Sequence, residues 1–116
     1  MDNDTRMAEE MKVIERLVEE LLIAGYRLSV NDGEEITLAK STDKAAILKA
    51  MRTTDEDYLL VHFADNRRIG TIYLVYGNMP WEVVNDYSDS VSVNGLLDKF
   101  EKFTTHMADS YYASTR

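Results

Sequence analysis

Residues 58–87 read YLLVHFADNRRIGTIYLVYGNMPWEVVNDY, and the period of this stretch decides the fold. Residues 58–64 and 69–76 are rich in β-branched and aromatic side chains. Asp65-Asn66-Arg67-Arg68 between them is a turn. Gly77-Asn78-Met79-Pro80 turns the chain again, and residues 82–87 are expected to form a third strand. Links this short join antiparallel neighbours, so the stretch reads as a three-stranded meander. Alternate strand residues share a face, which would put Trp81, Val83, Asn85 and Tyr87 together. Gly70 would let another element approach one of the strands closely.

Outward from the meander, the period changes from 2 to 3.6 and back. Residues 5–24 carry Met7, Met11, Ile14, Val18 and Leu21 at helical spacing, with Val13, Leu17, Leu22 and Ile23 widening the stripe. Glu9, Glu10, Glu15, Glu19 and Glu20 are expected mostly off that stripe, with Arg16 and Glu20 spaced for an ion pair. Gly25 is suited to end the helix, because it tolerates the left-handed conformation at that position. Tyr26, Leu28 and Val30, then the Asp32-Gly33 turn, then Ile36 and Leu38, predict a hairpin. A helix over about 43–52 follows, with N-cap candidates in Ser41-Thr42-Asp43. Ser88 to Ser92 reads as a loop, and Leu96, Leu97, Phe100, Phe103 and Met107 predict a helix over about 93–111. Residues 113–116 are expected to fray.

The expectation is a single α+β domain over 1–116. It has an antiparallel five-stranded sheet packed with three helices, in the order α-β-β-α-β-β-β-α. Apolar residues on both faces of 58–64 and 69–76 imply helices on both faces, or one face used in an oligomer. A two-fold homodimer would hide such a face or a sheet edge.

The chain has 116 residues and no cysteine, which excludes disulfides, zinc-thiolate sites and a cysteine nucleophile. Twenty-one acids against 13 bases give a net charge of −8, which disfavours binding to nucleic acid. No apolar run approaches the ~20 residues that span a bilayer, and the acidic N-terminus lacks the pattern of a secretory signal. No membrane role and a cytoplasmic location are expected.

Four segments together carry a resemblance. They are Val30-Asn31-Asp32-Gly33-Glu34-Glu35, Ser41-Thr42-Asp43, Thr54-Asp55-Glu56-Asp57, and Val75-Tyr76-Gly77-Asn78 followed by Trp81, Val84, Asp86 and Tyr87. Over about residues 24–90 the chain resembles small uncharacterised bacteriophage and prophage proteins. In that group Gly often precedes the Trp and Ser precedes the Asp-Tyr, where this chain has Pro80 and Asn85. The resemblance implies a phage-linked accessory protein in the cytoplasm of a host bacterium. It implies no reaction.

The residues themselves favour binding over catalysis. Acids cluster at Asp32, Glu34 and Glu35, at Asp55, Glu56 and Asp57, and at Glu82, Asp86 and Asp89, none with the spacing of a calcium loop. His62 and His106 are the only histidines; a hydrogen-bonded or edge-exposed histidine is the ordinary reading of each. There is no nucleophile elbow and no phosphate-binding glycine loop. No cofactor, metal site or catalytic residue is therefore assigned. Asn78, Trp81, Asn85, Asp86 and Tyr87 are the candidate partner-binding residues. Trp81 and Tyr87 would supply apolar anchor area, Asn85 amide hydrogen bonds, and Asp86 complementarity to a basic partner. The alternatives are an acidic mimic of nucleic acid, and a small-molecule-binding domain or enzyme.

Overall fold

The computed structural model describes residues 1–115; of the residues 113–116 expected to fray, 113 and 114 belong to the last helix and Arg116 lies outside the described residues. The elements are α1 (Asn3–Ile23), β1 (Arg27–Asn31), β2 (Ile36–Ser41), α2 (Lys44–Ala50), β3 (Glu56–His62), β4 (Arg68–Val75), a 3₁₀ turn (Pro80–Glu82), β5 (Val84–Tyr87), α3 (Asp89–Val93) and α4 (Asp98–Ser114). The sheet is antiparallel throughout, in the order β2-β1-β3-β4-β5. The fold is α+β, and the element order follows the periods read from the sequence.

Local chemistry sets the ends of the elements. Asp2 caps α1 by accepting from Thr5 N at 2.8 Å. At its other end, Gly25 N donates to Leu22 O and Tyr26 N to Leu21 O, a Schellman closure with Gly25 at φ 95°. Asp43 caps α2 through Ala46 N. The β1–β2 loop is an Asx turn in which Asp32 Oδ1 accepts from Glu34 N and Glu35 N.

Two elements differ from the expectation. Residues 88–92, expected as a loop, form most of α3, and the last helix begins at Asp98 rather than near residue 93, giving four helices rather than three. Gly95 at φ 64° ends α3 with the same closure, Gly95 N to Ser92 O and Leu96 N to Val91 O. The expected third strand of the meander is also shorter. Pro80 opens a 3₁₀ turn, closed by Glu82 N donating to Met79 O, and pairing resumes only at Val84. Proline suits the first position of such a turn, since its φ is preset and its missing N–H is not needed there.

The core gathers Val13, Ile14, Leu17, Val18 and Leu21 of α1, Ile47 of α2, Val91 of α3 and Phe100 of α4. They meet Leu28, Val30, Leu59, Val61, Ile72 and Leu74, which alternate along β1, β3 and β4 and so share one sheet face. The helices thus take one face only, and among the described residues the other carries none. A β-carbon at Gly70 would overlap the Ser88 and Ser90 hydroxyls, so glycine is what seats α3 against β4.

Candidate functional site

The structure separates the five candidate residues. Asn78 is exposed, and its backbone oxygen accepts from Arg6 Nη1 at 3.4 Å. Asn85 and Asp86 are exposed on β5, the last strand of the sheet. Tyr87 packs on the core, opposite Ile72, and its hydroxyl donates to Glu101 of α4 at 2.9 Å. That bond raises the Tyr87 phenol above its ordinary range. Trp81 stands in the 3₁₀ turn, so it does not share a strand face with Asn85 and Tyr87 as the alternation predicted; Val83, the fourth member, is fully buried.

Trp81 instead joins an aromatic group that strand periodicity does not show. Its ring centroid lies 5.2 Å from that of Tyr111 and 5.5 Å from that of Tyr112. Tyr111 and Tyr112 meet edge to face at 5.5 Å. The last turns of α4 supply both tyrosines, and the 3₁₀ turn supplies the indole. Trp81 and Tyr111 are half-buried, while Tyr112 is 45% exposed. Glu82 follows the indole and Asp109 precedes Tyr112 by three residues, both exposed, so acids flank the rings.

A second group is a buried charge cluster. Glu10 is 1% exposed, although it was expected on the solvent side of α1. Its Oε2 accepts from Arg6 Nη1 at 2.9 Å and Gly77 N at 3.1 Å, while Oε1 forms an ion pair with Arg52 Nη2 at 3.2 Å without a hydrogen bond. Beside it, the fully buried Asp57 accepts through Oδ2 from Arg52 N at 2.9 Å and from the Tyr76 hydroxyl, while Oδ1 has no partner. Burial raises the Asp57 pKa above its model-compound 3.8, and burial followed by the Asp57 contact raises Tyr76 well above the phenol range. The cluster ties the start of α1, the segment after α2, β3 and the turn after β4 into one node. Every cation in it already faces a carboxylate, which suits a structural role.

The raised Asp57 pKa has a pH consequence of definite sign. The folded protein holds this proton more tightly than the unfolded chain, so ionising Asp57 works against folding. Its contribution is most favourable below pH 3.8 and declines as pH rises through the elevated folded value. Asp57→Asn retains an oxygen for Arg52 N and the Tyr76 hydroxyl but cannot ionise. The stability of Asp57→Asn relative to wild type is therefore expected to increase from about pH 4 toward neutrality and then level off. Urea unfolding of both proteins across that range checks the sign; a relative stability that falls with pH would contradict it.

His62 is 5% exposed and Nε2 lies 2.9 Å from Ser29 Oγ. Ser29 Oγ also accepts from Lys40 N at 2.8 Å, and the imidazole tautomer sets which of Ser29 and His62 donates to the other. Burial, with Lys40 and Arg68 nearby, lowers the His62 pKa. Nδ1 is buried without a partner, so no carboxylate orients the ring as a catalytic triad requires. A groove of about 600 Å³ lies between the end of α1 and the α3–α4 link. Its Arg16 and Glu20 pair with each other at 2.8 Å, the pair expected from their spacing. Among the described residues no group of three or more His, Asp or Glu is placed to hold a metal ion, and no helix is long and apolar enough to cross a membrane. No family model, curated protein or solved structure matches this chain.

Proposed function

We propose that this chain is a non-enzymatic interaction protein, an accessory protein of a phage or other mobile element. It acts in the host cytoplasm by binding a host or phage protein. The observation that carries the reading is the Trp81–Tyr111–Tyr112 group, with Tyr112 45% exposed. Tryptophan and tyrosine dominate interface anchors because they bury large area at low entropic cost. The phage origin is supported by the sequence resemblance alone.

The flanking acids and the net charge of −8 favour a basic partner surface around an apolar pocket. Asn78 and Asn85 are exposed and available for polar contacts with a partner, while Asp86 is exposed on the open sheet face opposite Tyr73. Tyr87 contributes by holding α4 to β5 through Glu101.

Partner capture with the wild-type chain, then titration of the purified partner, tests this reading. A Trp81→Ala, Tyr112→Ala double variant is expected to lose about 2 kcal/mol or more of binding energy. Neutralising Glu82 and Asp109, the acids that flank the rings, should make the association rate less sensitive to salt. Thermal melts of the same variants separate lost contact from lost fold. Undiminished binding by the folded double variant would exclude this surface.

A further inference from the structure

We propose that the open face of the sheet is a two-fold interface and that its occupant is a second copy of this chain, packed face to face with the strands of the two copies antiparallel. This face uses neither Trp81 nor α4, so the inference stands apart from the partner-binding surface.

The centre of the face carries aromatic and apolar side chains, with the exposed Asp86 beside Tyr73 toward the β5 edge. Tyr58 and Tyr73 are opposite each other on β3 and β4, with ring centroids 4.8 Å apart and planes 23° apart. Leu60 beside them is only 8% exposed yet lies outside the core cluster, so its neighbours on this face are what bury it. Such a surface has no role in the helix-side core.

The ends of the face carry opposite charge. At one end, Arg27, His62 and Arg68 are paired across β1, β3 and β4, and Lys40 lies near enough to act on His62. At the other end Glu56 begins β3, and the loop with Glu34 and Glu35 passes beside it. A β-carbon at Gly33 of that loop would stand 3.4 Å from Glu56 Oε1. From residue 56 to residue 62 an extended strand covers about 20 Å.

This polarity selects one two-fold axis. An axis along the strands would lay basic end on basic end. An axis in the sheet plane and across the strands lays each basic end on the acidic end of the other copy, and every complementary contact occurs twice. Aligned sheets pack about 10 Å apart in this manner. Five strands spaced about 4.8 Å apart over about 20 Å give a footprint near 480 Å² per copy. The total of about 1,000 Å² is at the lower limit for a specific interface, so a weak, concentration-dependent dimer is expected.

Charge reversal tests both the face and the axis. Lys40→Glu with Arg68→Glu makes both ends acidic, and Glu34→Lys with Glu35→Lys makes both ends basic; all four residues are exposed. In sedimentation equilibrium up to ~1 mM, the wild type should approach twice the monomer mass. Each variant alone should raise the dissociation constant at least tenfold, and an equimolar mixture should restore dimers as heterodimers. Circular dichroism confirms that the variants are folded. A wild type monomeric throughout, folded variants that dimerise like wild type, or a mixture that stays monomeric would each overturn the proposal.

Discussion

Replacing Glu10 with alanine is expected to lower stability by about 3 kcal/mol, although the residue looks like one more acid on a charged helix. Removing one partner from a buried ion pair costs roughly 3–5 kcal/mol, because the remaining charge loses its counter-ion. Here Arg6 and Arg52 retain 18% and 21% side-chain exposure, so partial rehydration moderates the loss. The Gly77 N–H then loses its acceptor, which costs about 1–3 kcal/mol if water cannot replace it. Glu10→Gln keeps an acceptor for Gly77 and is expected to lose less. Glu9 is the control: it pairs with Lys12 at 2.9 Å, but Lys12 is 67% exposed. Glu9→Ala should change stability by no more than about 0.5 kcal/mol. Urea unfolding ranks the three variants, and equal small losses for Glu9→Ala and Glu10→Ala would contradict the cluster's role.

Leu21→Ala is expected to cost about 2–5 kcal/mol, the range for a large-to-small change at a fully buried site. Leu21 is 1% exposed and lies in the core with Leu17 and Val18. Its backbone oxygen also receives the Tyr26 N–H that closes α1, so the site has little freedom to collapse around the missing methyl groups. Ile23, two residues on, is 85% exposed, and Ile23→Ala should be nearly neutral. Denaturant unfolding distinguishes them. A loss below about 0.5 kcal/mol for Leu21→Ala would mean that α1 does not pack its Ile14, Val18 and Leu21 stripe on the sheet.

The fold was legible because period and punctuation agree along most of the chain. The stripe of α1 ends at Gly25, and the alternation of β1 and β2 breaks at Asp32-Gly33. What was missed also has local causes. The stripe at Leu96, Phe100 and Phe103 drew the last helix through Gly95, a residue placed to end α3 just as Gly25 ends α1. Trp81 alternates with Val83 and Asn85, but Pro80 begins a turn that strand periodicity cannot represent.

The candidate site was less legible, because its members meet only in three dimensions. Tyr111 and Tyr112 are about 30 residues from Trp81, and no spacing rule joins them. Glu10 did carry a signal: it precedes Val13, Ile14, Leu17 and Leu21 at helical spacing on the face that packs inward. A carboxylate continuing an apolar stripe is a reason to search for cations. Arg6, one turn earlier, was visible; Arg52, across the fold, was not.

The central claim is that the Trp81–Tyr111–Tyr112 group is a partner-binding surface. Site-specific photocrosslinking in bacterial cells producing the chain tests it most directly, with the probe placed at Tyr112 and, as a control, at Lys12 on the exposed side of α1. The account predicts a defined protein adduct from position 112 that disappears in a folded Trp81→Ala background, and none from position 12. The same adducts from both positions, or a position-112 adduct unaffected by Trp81→Ala, would contradict it.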